Sequence, residues 1–190
     1  MEIYMTGLQQ HNPQNQTLQN QAVANQTLQN QSDANQSNTR QFLTFTVAGE
    51  EYGVDIMTVR EIKGWTETTR LPNTPTYMRG VINLRGVIVP IFDLRARFTG
   101  ELTISTPKHV TIILSSSNKI VSILADAVSD ILTVQAQEIK PAPDMPNSET
   151  SAIIEQRYVT GLIAIEDRMV VLLDIEKLFA IDAEQIELSG

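Results

Sequence analysis

YMRGVINLRGVIVPIFDLRARF, residues 77–98, decides the fold. Two short β-rich runs, Val81-Ile82 and Val87-Ile88-Val89, flank Asn83-Leu84-Arg85-Gly86, a turn-forming sequence that predicts a hairpin. Asp93 then precedes Leu94-Arg95-Ala96-Arg97-Phe98, with Gly100 just beyond, the pattern of an N-cap, a short helix and a glycine stop. The plan returns without a gap at YVTGLIAIEDRMVVLLDIEKLF, residues 158–179. Tyr77, Gly80, Ile82, Val89, Asp93 and Phe98 meet Tyr158, Gly161, Ile163, Val170, Asp174 and Phe179, and most remaining apolar positions also correspond, as Val81 does to Leu162.

The duplication extends outward from this block. Upstream, Val59-x-x-Ile62 matches Val128-x-x-Ile131. Phe42, Phe45 and Val47 lead through Ala48-Gly49-Glu50-Glu51 into Tyr52 to Ile56, which reads as a hairpin. A second hairpin is expected where Val110 to Leu114 and Ile120 to Leu124 flank Ser115-Ser116-Ser117-Asn118. Many short strands joined by turns predict a mainly β protein of closed barrels or a sandwich, here two small barrels sharing an interface. One repeat of about 55–60 residues is near the lower limit of independent stability, so the halves are expected to stabilise each other, by strand exchange among other routes. Residues 41–107 and 108–190 are the expected subdomains, with a closing helix over 183–188.

Residues 1–40 have a different composition. They carry three charged side chains, Glu2, Asp33 and Arg40, and NQTLQNQ begins at Asn15 and again at Asn25. Such polar, uncharged repeats bury too little to offset ordering entropy, so a disordered Asn/Gln-rich tail is expected.

Charge and composition exclude several functions. The net charge is −8 and aromatic residues make up 5%, which argues against a single-stranded nucleic-acid binder, a role that small barrels can fill. Residues 41–107 balance seven basic against seven acidic side chains, whereas 108–190 hold six against thirteen. Arg70, Arg79, Arg85, Arg95 and Arg97 face only Asp93 across positions 70–97, and on one face they would suit an acidic protein surface. There is no cysteine, and the two histidines, His11 and His109, belong to no metal or nucleophile signature. Nor is there a glycine-rich phosphate loop. A small enzyme is the weaker alternative, no cofactor or metal is expected, and Asp93 and Asp174 read as helix caps rather than catalytic carboxylates. Met1-Glu2-Ile3-Tyr4 lacks a basic, apolar leader and the longest apolar runs are about six residues, so a cytoplasmic protein is expected.

Three stretches carry a resemblance: EEYGVDIMTVREI (50–62), LPNTPTYMRGVINLRGVIVPIFDLR (71–95) and YVTGLIAIEDRMVVLLDIEKLF (158–179). Together they resemble the CheW-like domain family over residues 41–180. The resemblance implies two five-stranded β-barrel subdomains with short helices and no catalysis. It implies a stand-alone coupling adaptor that bridges the cytoplasmic hairpin tip of chemoreceptors to the regulatory domain of the histidine kinase CheA. The family's receptor- and kinase-binding positions fall on Ile56, Val59, Glu61, Gly80, Asn83 and Arg85. Ile56 and Val59 could offer an apolar strip, and Arg85 at a turn could grip a carboxylate. Arg85 has Glu166 as its counterpart, which favours a role specific to the first repeat.

Overall fold

The computed structural model describes residues 38–116, 119–143 and 156–180. The expected tail, apart from its last residues, and the closing helix at 183–188 lie outside them.

Ten strands follow in order: β1 (Thr39–Val47), β2 (Glu50–Asp55), β3 (Val59–Gly64), β4 (Met78–Leu84), β5 (Val87–Asp93), β6 (Val110–Ser116), β7 (Lys119–Ala125), β8 (Ala127–Gln135), β9 (Val159–Ile165) and β10 (Arg168–Leu173). Helix α1 (Leu94–Thr99) follows β5, and residues 175–180 form the matching helix after β10. Asp93 caps α1 by accepting from the Ala96 N–H at 3.1 Å, and Gly100 ends it in the left-handed region at φ 78°. Asp174 accepts from the Lys177 N–H at 3.1 Å in the same way.

The strands form two five-stranded sheets, β8-β1-β2-β10-β9 and β3-β6-β7-β5-β4. The orders superimpose when β8, β1, β2, β10 and β9 are matched to β3, β6, β7, β5 and β4, so the duplication read in the sequence is also one of topology. The sheets do not follow the repeat boundary. Residues 41–107 supply β1 and β2 to one sheet and β3 to β5 to the other; residues 108–190 divide likewise. Each repeat thus lends its first hairpin to its sibling, and two of the joints between repeats, β2 with β10 and β5 with β7, are parallel pairings.

Each sheet closes on itself at one point. Beyond β3, Thr69 exchanges both backbone bonds with Val81 of β4, at 3.0 and 2.9 Å. Beyond β8, Lys140 does the same with Leu162 of β9, both at 2.8 Å. A glycine precedes each bridge. A Cβ on Gly80, whose φ is 128°, would strike the Thr69 carbonyl oxygen, and one on Gly161 would lie 2.6 Å from Ile139 Cγ2. Only a residue without a side chain allows the closing segment to approach so closely.

Strand alternation explains the core. Leu43, Phe45 and Val47 of β1 face one way and pack with Ile112, Leu114 and Ile123 of the other sheet, together with Phe92, Leu178 and Phe179. Phe42 faces the other way, into a second cluster with Val134, Ile163, Val170 and Leu172. The β1–β2 hairpin therefore lies between two hydrophobic layers, which is why β1 is almost continuously buried from Phe42 to Val47 although threonines interrupt its apolar residues.

Candidate functional site

The chain crosses between the sheets twice, and the first crossing carries the residues singled out from the sequence. Asp55 ends β2 and caps a single 3-10 turn, Ile56–Thr58, by accepting from the Met57 N–H at 3.0 Å. Val59 then opens β3 beside Leu114. Ile56 and Val59 are half-buried and pack on the shared core instead of forming an exposed strip. The apolar groups that do reach solvent here are Met57, 87% exposed, and Ile62, 44% exposed. Ile62 could have been found by alternation, since Val59, Glu61 and Lys63 share the sheltered face of β3 and leave Ile62 on the other.

The β4–β5 hairpin supplies the second group. Arg85 and Gly86 form its tip with φ of 53° and 92°, the mirror-image turn that matches strand twist. Asn83 Oδ1 accepts from the Gly86 N–H at 2.7 Å, so the Asn83 side chain holds the turn. A left-handed arginine is strained by about 1 kcal/mol, and its repeat counterpart Glu166 takes the same conformation at φ 51°, so the turn type sets it. Its side chain is 83% exposed and lies 3.6 Å from the Glu61 carboxylate on β3. Glu61, Asn83 and Arg85 thus come together beside the point where this sheet closes, and Gly80 sits buried at the closure itself. An ion pair this open contributes about 0–1 kcal/mol, so a partner's carboxylate can replace Glu61 at little cost. Val87, at 47%, and Ile88, at 61%, add exposed apolar surface beyond the tip.

Of the five arginines of positions 70–97, Arg79, Arg85 and Arg97 make different contacts. Arg79 turns inward, donating to the Thr103 carbonyl at 3.0 Å and to Ser105 Oγ at 3.1 Å, and pairs at 3.5 Å with the fully buried Asp93. Its guanidinium lies 5.6 Å from the Trp65 ring centroid, which assigns Trp65 to this network. Arg97 stacks 4.7 Å from the Tyr77 ring and 5.3 Å from its repeat counterpart, Tyr158. Asp93 is more than a cap, because it also accepts from the Thr103 N–H and hydroxyl, each at 2.8 Å. The second crossing is tied at Asp126, whose carboxylate accepts from the Ala48 N–H at 2.8 Å and lies 3.5 Å from His109 Nε2. Among the described residues no group of three or more His, Asp or Glu side chains is placed to hold a metal ion.

The family model described as CheW-like domain matches residues 41–183. The chain is similar to chemotaxis protein CheW of Klebsiella aerogenes, 45% identical over 141 residues that cover 74% of this chain and 82% of that one. It is 44% identical to the probable chemotaxis protein CheW of Rhizobium etli, covering 74% and 88%. Its similarity to chemotaxis protein CheW of Bacillus subtilis is 33%, covering 70% and 83%. Among solved structures, the scaffolding protein TtCheW from Thermoanaerobacter tengcongensis superimposes with a TM-score of 0.66 at 28% identity, covering 74% of this chain and 87% of that one.

Proposed function

The chain belongs to the CheW-like domain family, and from that premise we propose that it is a chemotaxis coupling scaffold that bridges chemoreceptor tips to the histidine kinase CheA. It works by presenting surfaces. Receptor state reaches the kinase because both are held on one small rigid body, and the coupler itself makes and breaks no covalent bond. Its place is the cytoplasmic side of receptor arrays; among the described residues no helix is long and apolar enough to cross a membrane.

The observation that supports this reading is the match to relatives named chemotaxis protein CheW along nearly the whole folded segment. The docking end is the Glu61–Arg85 pair with Asn83 at the hairpin tip. Arg85 offers a guanidinium that a partner carboxylate can take over from Glu61. Ile56 and Val59 act from behind, holding the crossover so that Met57 and Ile62 face the partner. Gly80 is a positioning residue, since it seats the closing segment against β4.

The test is reconstitution with receptor-containing membranes and CheA. Arg85→Ala, a surface change that leaves the fold intact, is expected to lower receptor-stimulated autophosphorylation about tenfold, equivalent to about 1.4 kcal/mol. Coupling equal to the parent by this folded variant would remove Arg85 from the site.

A further inference from the structure

A second surface lies away from the hairpin tip. Beyond α1 the chain runs through Leu102, Thr103 and Ile104 without joining a sheet. Thr103 is buried, while Leu102 and Ile104 on either side are 49% and 87% exposed. Solvent-facing apolar side chains on a free segment would normally be mobile. Here the segment is fixed, because Asp93 binds both the N–H and the hydroxyl of Thr103 and Arg79 binds its carbonyl and Ser105. A buried ion pair is costly to build, and its effect here is to hold two apolar side chains outward.

Facing this ledge across a cavity of about 240 Å³ is the segment before β4. Pro72 and Pro75 stiffen it, Thr74 donates to the Leu71 carbonyl at 3.1 Å, and the Met78 N–H donates to the Pro75 carbonyl at 2.9 Å. Leu71, Pro75, Met78 and Leu102 form the apolar lining, with Arg70 and Arg79 as the charged residues. No carboxylate lines the cavity. Arg79 is already matched by Asp93, but Arg70 is exposed and pairs with no acid among the described residues.

We propose that this cleft docks a protein segment whose apolar side chain enters between Leu71 and Leu102 and whose carboxylate pairs with Arg70. The volume is below the roughly 300–1,000 Å³ of small-molecule sites and suits one or two side chains. One uncompensated arginine and no aromatic lining do not make a nucleic-acid surface. Walls fixed in advance reduce the ordering cost of binding. The proposal does not rest on the coupling role, and its test is independent of kinase or receptor.

The full chain, labelled at its methyl groups, is titrated with acetyl-Leu-Glu-Leu-amide and with acetyl-Leu-Lys-Leu-amide and followed by NMR. The acidic peptide is expected to shift Leu71, Met78 and Leu102 with a dissociation constant on the order of 1 mM. The lysine peptide, and the acidic peptide on Arg70→Glu, are expected to bind about threefold more weakly or worse, as for an exposed ion pair. Equal binding of the two peptides, no shift at several times that concentration, or shifts confined to other surfaces would overturn the proposal. An oligonucleotide moving the same resonances more strongly than the acidic peptide would overturn it as well.

Discussion

Arg79 shows how far spacing alone leads and where it stops. The Asp93 cap is legible, because an aspartate followed by an amphipathic turn and a glycine has few other readings. Its second role is not, since nothing local announces that Thr103 and Arg79 will converge on the same carboxylate. Glu61 and Arg85 were both singled out through the resemblance, but their pairing depends on sheet closure and appears only in three dimensions. Replacing Arg79 by methionine leaves Asp93 facing no cation while fully buried, with an expected loss of about 3 kcal/mol in urea unfolding. Adding Asp93→Asn to that variant should recover part of the loss, because a neutral amide needs no counter-charge. A loss below about 0.5 kcal/mol for Arg79→Met would mean that the ion pair does not stabilise the 102–105 ledge.

At the scale of strands and turns, the closing bridges should be the points least tolerant of change. Gly80→Ala combines a left-handed backbone with a collision against a carbonyl and should cost about 3 kcal/mol or more. Gly161 also meets a backbone carbonyl, that of Lys140 at 2.9 Å, and the Ile139 Cγ2 methyl, but it lacks the positive φ, so Gly161→Ala should cost less. Equal midpoints for the two variants in thermal unfolding would contradict this account of closure. The exchanged hairpin offers a second check. Burial, and secondarily the Glu50 carboxylate, push the Tyr52 phenol up from its ordinary 10.0 to about 12. The folded protein therefore holds this proton more tightly than the unfolded chain. That contribution is complete below pH 10 and is lost as pH rises toward 12. Tyr52→Phe should flatten the alkaline decline in stability relative to the parent, and identical pH profiles would rule out this cause.

The molecule as a whole is two repeats that trade their first hairpins. Hairpins were legible where each is local and marked by its turn: Ala48-Gly49 in the traded β1–β2 hairpin and Arg85-Gly86 in β4–β5 both take positive φ. Which sheet each hairpin joins was not legible. Pairing β2 with β10 brings together residues more than a hundred positions apart, and Val170 beside Glu51 carries no sequence signal of its partner. Exchange was an expectation from repeat size alone, and the topology gives it a specific form. Joined this way, neither repeat has a complete sheet of its own, which makes the pair one rigid unit able to hold two partners in fixed relation. The most direct measurement of this account is CheA autophosphorylation in the presence of receptor-containing membranes, with and without the purified chain. Adding the chain should raise the rate severalfold and bring the kinase down with the membranes. A rate and a kinase distribution unchanged at saturating chain would contradict it.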